Sequence, residues 1–539
     1  MSEPRSRFLS TCEWVTAGLI TAIALCLHLV RVRSAGPLWR DEVAVLNLAR
    51  MNWREIVSYF PREGFPPPFL ALLREYAGFL GTSDTALRVF GLCAGTACLG
   101  MVWLNAALTT RRAPLVALAL FGFSPVLFVW GDSIRGYGLG AALIMLTFAL
   151  FARAIVKPIP GVFWAAVVSA VLSVQCLLAN AVLLFALGIS ALVVLIFQGR
   201  TRHARIVLGI GCAAAFSITP YIGAYRNGRE WDVVFRTQLS FAWLWGKLCG
   251  ALGKPAPGML WVWWSLLVLA PIGVIWLLRH DSARKSKTTL LAGFALLSCA
   301  LALVCYLVFL KALGYPTQDW YYLSLIAVLV LGLDIVAGVL AERLDWVAVL
   351  RLALAVGVTA ALAAPAFTQA QKRLSNLDLV AGELERRAAP QDFILVAPWY
   401  LGISFRSHSA IGMAWETLPP ISDLRIHRYD LLKEQMTLPD PLEPLRRRIA
   451  DTLRSGHRLW IVGALTYPEP GEKPPFRGPA PHDRVGWSEF AYSRAWSMQL
   501  GHFVETHGLR SHRVELAAPT PINVFENAQL TAVEGWRDE

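Results

Sequence analysis

Residues 15–42 read VTAGLITAIALCLHLVRVRSAGPLWRDE, and this stretch decides how the rest of the chain is interpreted. The part from Val15 to Val30 is strongly apolar, and two adjacent acids, Asp41 and Glu42, follow at the end. A membrane span needs about 20 apolar residues, so the first part predicts a membrane helix. Ionisable groups held close to lipid are costly and are therefore functional candidates. The stretch predicts that a membrane scaffold presents Asp41 at the boundary between lipid and water.

Composition extends this prediction to the whole chain. Of its 539 residues, 56% are hydrophobic and only 16% are charged, whereas a soluble domain has about 25% charged residues. The net charge of +13 comes from basic residues in short clusters between apolar runs. That distribution is typical of cytoplasmic loops and of contact with anionic lipid. We therefore predict a polytopic α-helical membrane protein that binds no nucleic acid.

The apolar runs predict about eleven transmembrane helices. When the predicted helices are counted along the chain, basic clusters such as Arg111-Arg112 and Arg200 to Arg205 all fall on the same side of the membrane, as do Arg5 and Arg7. The positive-inside rule then places the N-terminus in the cytoplasm and, for an odd count, the C-terminus outside. The predicted spans are 13–30, 87–108, 114–131, 137–155, 161–178, 181–198, 205–224, 259–278, 289–310, 321–341 and 346–365.

The loops and the tail predict two domains, a transmembrane domain at 1–365 and a periplasmic α/β domain at 366–539. The first outer loop, 31–86, contains an amphipathic run from Val43 to Phe60 and a second helix from Phe69 to Leu80. Another outer loop, 226–258, is rich in tryptophan, which fits an interfacial anchor or contact with an acceptor or sugar. In the tail, alternating patterns predict an α/β layer. They are helices at 372–388 and 441–455, strands at 392–397, 458–463 and near 514–516, and a loop at 468–484.

Several polar residues on the predicted outer side have the chemistry that a lipid-linked transferase requires. A carboxylate such as Asp41 suits a general base for an acceptor hydroxyl. Arg88, Arg135 and Lys311 suit the phosphate of a leaving group, and arginine in particular makes bidentate phosphate contacts. The alternative for each arginine is a side chain that snorkels from a helix end. The tail histidines are scattered without ligand spacing, which favours surface residues over a metal site.

The order of these motifs carries a family resemblance. Leu38-Trp39-Arg40-Asp41-Glu42, then Pro66-Pro67 opening a helix, then Ala86-Leu87-Arg88, resembles bacterial family 39-type glycosyltransferases. These belong to the glycosyltransferase C superfamily, with the protein O-mannosyltransferases and the aminoarabinose transferases that modify lipid A. Arg135-Gly136-Tyr137 is similar to an Arg-x-Tyr element of that family. The resemblance covers residues 31–155, and its general topology extends to residue 365.

The resemblance implies an inverting glycosyltransferase of the bacterial inner membrane. It would move a hexose or pentose from a polyprenyl-phosphate donor to a lipid, glycan or protein acceptor on the periplasmic side. Asp41 is implied as the base with Glu42 as its neighbour, and Arg88, Arg135 and Tyr137 as donor-phosphate contacts. No cofactor is implied, and the use of a divalent metal is left open.

Three positions depart from the family pattern. Phe65 stands where histidine often precedes the double proline, Asn180 lies where a His-Tyr pair is common, and Asp319 lies where relatives have Arg-Tyr. Lys311 is a candidate for the cation that the last change removes. Other functions stay open: a transferase of another group, a transporter or flippase of lipid-linked glycans, or a degenerate relative. Transporters place ionisable groups near the membrane midplane, whereas here the charges gather at the outer ends of the spans.

Overall fold

The structure is a computed structural model that describes residues 3–223, 239–280, 286–408, 412–469, 471–480 and 489–538. Within these residues, nine helices are long and apolar enough to cross a membrane. The chain is therefore a multi-pass helical membrane protein, as its composition predicts. The nine helices are Arg7–Ser34, Asp84–Leu108, Tyr137–Val156, Asn180–Phe197, Thr201–Tyr221, Met259–His280, Lys287–Leu313, Asp319–Arg343 and Asp345–Ala370.

Two of the predicted spans have a different form. Between 114 and 131 the chain forms a short helix, Leu115–Phe121, and a π-helical segment, Val126–Gly131, and every residue of both is buried. Pro125 lies between them, and a proline interrupts a helix because it has no N–H and its ring clashes with the preceding turn. The predicted span 161–178 is the 17-residue helix Pro160–Cys176. The total of about eleven crossings therefore stays a prediction.

A buried charge network connects several of the membrane helices. Asp334, in the helix Leu323–Arg343, accepts hydrogen bonds of 3.0 and 3.3 Å from two backbone N–H groups at the start of the helix Leu115–Phe121. Arg351 contacts Glu13 at 3.3 Å and Asp334 at 3.8 Å, and its side chain is 3% exposed. Buried charges are tolerated only when they are paired and hydrogen-bonded. The network therefore favours one arrangement of these helices.

The chain folds as two compact units. The membrane unit contains Met1–Arg33, Phe65–Ile222 and Thr237–Ala370. The tail unit contains Ser34–Gly64 together with Gln371–Glu539. Backbone hydrogen bonds explain this grouping, since the N–H of Leu374 donates to the carbonyl of Ala35 at 2.8 Å. The structure thus differs from the predicted division into 1–365 and 366–539, because residues 34–64 fold with the tail.

The first loop contains three helices, Arg40–Arg50, Trp53–Glu63 and Pro67–Leu80. The predicted run from Val43 to Phe60 is therefore two helices. The break has a local cause: the Asn52 side chain accepts the N–H of Glu55 at 3.0 Å, and the Glu55 carboxylate accepts the N–H of Asn52 at 3.1 Å. This reciprocal capping box starts a new helix.

The tail unit is built on a five-stranded mixed sheet with strand order β2-β1-β3-β5-β4. Strand β1 is parallel to β2 and β3, whereas β5 is antiparallel to β3 and β4. Both β1 and β3 are buried along their whole length, which is the pattern of strands covered on both faces. The strands are β1 Phe393–Ala397, β2 Ala414–Thr417, β3 Leu459–Gly463, β4 Gly508–Val514 and β5 Leu530–Trp536. The helices that follow residue 371 are Leu377–Arg387, Leu401–His408, Tyr429–Thr437, Glu443–Arg454 and Glu489–His507.

The predicted α/β character of the tail is confirmed, and four of its predicted elements lie where the pattern places them: Leu377–Arg387, β1, Glu443–Arg454 and β3. The strand predicted near 514–516 lies earlier, at Gly508–Val514. Of the predicted loop 468–484, the described residues 468–469 and 471–480 form no helix or strand. In the loop 226–258, residues 226–238 lie outside the described part, and Phe241–Leu252 is a helix.

Candidate active site

The two predicted catalytic acids have different surroundings in the tail unit. Glu42 is fully buried, and its carboxylate accepts the N–H of Trp39, the N-cap residue, at 3.4 Å. Glu42 therefore stabilises the start of the helix Arg40–Arg50. Asp41, in the first turn of the same helix, keeps a side chain that is 15% exposed. Of the pair, Asp41 is the acid that a substrate can reach.

Basic side chains border the Asp41 carboxylate. Arg40 Nε lies 3.5 Å from Asp41 Oδ1, and His427 Nε2 lies 3.6 Å from the same oxygen. Asp41 also lies at a helix N-terminus, where the helix dipole favours negative charge. Arg40 and the helix N-terminus therefore place positive charge beside the Asp41 carboxylate.

Arg40 is held on several sides. Its guanidinium carbon lies 4.5 Å from the ring centroid of Tyr400 and 5.2 Å from that of Trp39. Its Nη1 donates a 2.9 Å hydrogen bond to the carbonyl oxygen of Phe525. A guanidinium fixed in this way supplies a positive charge beside Asp41 without the entropy cost of ordering a free side chain.

A buried acid, Glu526, contacts the start of the helix that carries Arg40 and Asp41. Glu526 is 1% exposed, and its Oε1 accepts hydrogen bonds from Ser404 Oγ at 2.6 Å and from the backbone N–H of Arg40 at 3.3 Å. Burial raises the pKa of Glu526 to about 7, against the opposing charge of Arg40. The carboxyl group that supports Arg40 therefore changes charge near neutral pH.

His427 connects Asp41 with a second carboxylate. Its Nδ1 lies 2.7 Å from Glu63 Oε1, and its backbone N–H donates to the same oxygen at 3.2 Å. The side chains of His427 and Glu63 are 13% and 9% exposed. Glu63 ends the helix Trp53–Glu63, so this helix and the helix Arg40–Arg50 each contribute an acid beside one imidazole.

A dense polar cluster fixes the segment that carries His427. Asp423 accepts hydrogen bonds from Tyr59 Oη at 3.0 Å, from Arg425 Nε at 3.1 Å and from Arg428 Nη1 at 2.7 Å. Although burial acts in the opposite direction, the hydrogen bonds from Arg425 and Tyr59 hold the pKa of Asp423 well below its usual range. The cluster joins residues 423–428 to the helix Trp53–Glu63.

In the membrane unit, Arg135 and Tyr137 lie together. The Arg135 guanidinium carbon is 5.2 Å from the Tyr137 ring centroid and 5.1 Å from that of Phe65. Tyr137 opens the helix Tyr137–Val156, is 6% exposed, and lies 6.4 Å from the ring centroid of Tyr321. Phe65, a departure from the family pattern, thus supplies an aromatic face for the arginine. The result is a half-buried cation with aromatic walls.

Arg88 lies in a different, more deeply buried cluster. Its side chain is 4% exposed and lies within electrostatic reach of Asp132. Asp132 Oδ1 in turn lies 2.6 Å from His28 Nδ1. The helix Asp84–Leu108, which carries Arg88, lies close to Asp132 because residue 95 is glycine. A Cβ at this position would lie 1.8 Å from Asp132 Oδ1. Arg88 thus balances a buried acid, and its donor-phosphate role stays a prediction.

Lys311 contacts an aromatic side chain outside the Arg135 and Arg88 clusters. It is exposed near the end of the helix Lys287–Leu313, and its Nζ is 4.1 Å from the ring centroid of Phe241. The two other departures have local partners as well. Asn180 is buried and donates to the carbonyl of Gly140 at 2.9 Å, and Asp319 forms an ion pair with Lys254.

Sequence reasoning missed two residues of the Asp41 cluster, Glu63 and His427. The available signal for Glu63 was its position at the end of an amphipathic helix, close before the double proline. His427 carried no signal, because its partners are hundreds of positions away in the chain. The expectation of a surface histidine is wrong for this residue. Within the described ranges, no group of three or more His, Cys, Asp and Glu side chains is arranged to hold a metal ion.

Comparisons with known proteins find no match among protein-family models or curated proteins. Among solved structures, ArnT from Cupriavidus metallidurans bound to undecaprenyl phosphate is 14% identical, with 82% of this chain and 92% of that chain covered and a TM-score of 0.49. The apo state of the same ArnT is 12% identical, with 83% and 92% covered and a TM-score of 0.47. The Archaeoglobus fulgidus oligosaccharyltransferase, in complex with zinc and sulfate, is 11% identical, with 83% and 67% covered and a TM-score of 0.44.

Because each of the three TM-scores is below 0.5, the function proposed below rests on the residues of this chain.

Proposed function

We propose that this chain is an inverting glycosyltransferase that uses a polyprenyl-phosphate sugar as donor. The acceptor, a lipid, glycan or protein, would be modified on the periplasmic side of a bacterial inner membrane. Asp41 is the general base, and Arg135 with Tyr137 contacts the donor phosphate. Glu42 supports Asp41 by capping its helix, and Arg88 and Lys311 are further candidates for phosphate contact.

The observation that carries this proposal is the environment of Asp41. The carboxylate is partly exposed, lies at a helix N-terminus, and is bordered by Arg40 and His427. A general base must be a reachable proton acceptor, and the exposure of Asp41 and its contact with Arg40 support that role. Asp41 is therefore suited to remove the proton of an acceptor hydroxyl as that oxygen attacks the sugar.

The Arg135 environment supports a lipid-phosphate donor. A guanidinium binds phosphate through paired N–H donors, and the rings of Phe65 and Tyr137 hold it in place. In inverting transfer, the phosphate leaves with its negative charge from the face opposite the acceptor. A fixed cation lowers the cost of that developing charge.

The first experiment measures donor recognition with undecaprenyl phosphate as the probe. Native mass spectrometry of the full chain in detergent should show one bound undecaprenyl phosphate and weak binding of undecaprenol, which lacks the phosphate. Arg135→Ala should weaken undecaprenyl phosphate binding about 10- to 100-fold, since a hydrogen bond to a charged group contributes about 1.5–3 kcal/mol. The matched control is Arg202→Ala, at an exposed arginine of the same unit, which should bind as the unchanged chain does. Equal affinity for the two lipids would contradict the proposal.

A second experiment separates transfer from transport. The full chain is reconstituted in vesicles with a radiolabelled polyprenyl-phosphate hexose, and released polyprenyl phosphate is measured against movement of intact donor between leaflets. Sugar transfer that Asp41→Asn abolishes supports the enzyme. Movement of intact donor without any cleavage would instead establish a flippase.

A further inference from the structure

Glu63 and His427 form a hydrogen-bonded pair that points at Asp41. The Glu63 carboxylate lies 2.7 Å from His427 Nδ1 and also accepts the backbone N–H of His427. An ionised carboxylate only accepts hydrogen bonds, so Nδ1 carries the proton in this pair. The remaining ring nitrogen, Nε2, then faces Asp41 Oδ1 at 3.6 Å. That separation is about 0.6 Å longer than a hydrogen bond of about 3.0 Å.

We propose that His427, held by Glu63, acts through Asp41 by receiving its proton after each transfer. This inference rests on the proposed role of Asp41 as the base. As the acceptor oxygen forms its bond to the sugar and the phosphate departs, the hydroxyl proton moves to Asp41. It then passes from Asp41 to Nε2 of His427, which becomes an imidazolium beside the Glu63 carboxylate. Release of that proton to water returns Asp41 and His427 to their starting protonation states. The one proton lost by the acceptor hydroxyl is thereby accounted for.

The surroundings of the ring fix its orientation. The ring of Tyr429 is parallel to that of His427 within 12° at 6.1 Å, and Trp399 lies edge-on at 6.4 Å. On the Asp41 side, Arg40 is a charged neighbour, with Nε at 3.5 Å from Asp41 Oδ1. On the other side, the charged groups next to Glu63 belong to the ion pair between Arg62 and Asp430, at 3.0 Å. The Nδ1 hydrogen bond and the neighbouring aromatic rings hold the imidazole with its Nε2 towards Asp41, and the backbone N–H bond to the same carboxylate fixes the segment that carries it.

The first test measures geometry without any donor or acceptor. In the full chain, Asp41→Cys places a thiol beside Nε2 of His427, so that the thiolate and this nitrogen can bind Cd²⁺ together. Added Cd²⁺ should slow modification of this thiol by N-ethylmaleimide more than 10-fold, as followed by mass spectrometry of its peptide. The protection should disappear when His427→Gln is added. Protection that is unchanged by His427→Gln, or that never occurs, would overturn the proposed arrangement.

The second test uses transfer kinetics. His427→Gln should lower kcat roughly 10- to 100-fold with an unchanged KM for the donor and an unchanged thermal midpoint. In the Asp41→Asn background the same substitution should change the residual rate less than 2-fold, because residues that act as a unit are not additive. The matched control is His408→Gln, at another half-buried histidine of the tail unit, whose Nε2 contacts the carbonyl of Leu38 at 2.9 Å. That control should stay within 2-fold of the unchanged chain.

The outcomes separate this inference from the function on which it rests. If the unchanged chain transfers no sugar while Cd²⁺ protection holds, the proposed function fails and the arrangement at His427 stands. If Asp41→Asn abolishes transfer and His427→Gln does not lower kcat, the proposed function stands and the role of His427 is refuted. A loss of thermal stability with normal kcat in His427→Gln would likewise refute it, because that result marks a structural role.

Discussion

Replacing Glu526 with glutamine tests whether a buried acid behind Asp41 makes the tail unit sensitive to pH. The carboxyl group is 1% exposed, and burial raises its pKa from the ordinary value of 4.5 to about 7. Between these two pH values, the folded chain keeps a proton that the unfolded chain releases. The stability associated with Glu526 is therefore full below pH 4.5 and is lost as the pH rises to about 7.

The size of the loss follows from the same two values. A difference of about 2.5 pH units corresponds to about 3 kcal/mol, at about 1.36 kcal/mol per unit. In Glu526→Gln the side chain stays neutral at every pH, and its amide oxygen can accept the bonds from Ser404 Oγ and the Arg40 N–H. The variant should therefore gain stability over the unchanged chain as the pH rises.

The assay is the thermal unfolding midpoint of the full chain in detergent, followed by tryptophan fluorescence at pH values from 4.5 to 8. For a unit of 150–250 residues, 1 kcal/mol shifts the midpoint by about 2–4 °C. The difference between Glu526→Gln and the unchanged chain should grow by roughly 6–12 °C across this range. Glu385→Gln, at an exposed acid of the same unit, is the matched control and should show no such trend. Identical pH profiles for Glu526→Gln and the unchanged chain would refute the reasoning.

Two substitutions in the membrane unit test its buried charges through the thermal midpoint in detergent. Arg351→Ala leaves Asp334 without its cation, whereas Glu13 keeps its contact with Arg112 at 3.5 Å. The uncompensated buried charge should cost about 3–5 kcal/mol, and an unchanged midpoint would contradict the network. Gly95→Ala places a Cβ 1.8 Å from Asp132 Oδ1, and overpacking of this kind should cost about 1–3 kcal/mol. A fully stable Gly95→Ala would show that the two segments are not packed so closely.

The sequence predicted those features that depend on local pattern. Long apolar runs predict membrane helices, and the alternation in the tail predicts β1, β3 and the helices that precede them. The break between the first-loop helices was also within reach, because Asn52 and Glu55 have the spacing of a capping box. The proline that interrupts the predicted span at 114–131 is a comparable local signal, and its effect is visible at Pro125.

Features that depend on distant pairing were not predictable in this way. Residues 34–64 fold with the tail through contacts such as the 2.9 Å hydrogen bond from Asn47 Nδ2 to the carbonyl of Arg425, which no periodicity reveals. The same holds for the candidate site. Asp41 was identified from two adjacent acids after an apolar run, but its partner His427 follows it by more than three hundred positions. A single histidine without ligand spacing gives no sign of its role until the fold brings Glu63 beside it.

The measurement that tests the central claim most directly is the rate of sugar transfer by Asp41→Asn. The full chain in vesicles receives a polyprenyl-phosphate sugar donor, and release of polyprenyl phosphate is followed over time. Asparagine keeps the shape of the side chain but removes its ability to accept a proton, so kcat should fall about 10²- to 10⁴-fold. Undecaprenyl phosphate affinity and the thermal midpoint should not change. Transfer at the rate of the unchanged chain would show that Asp41 is not the base.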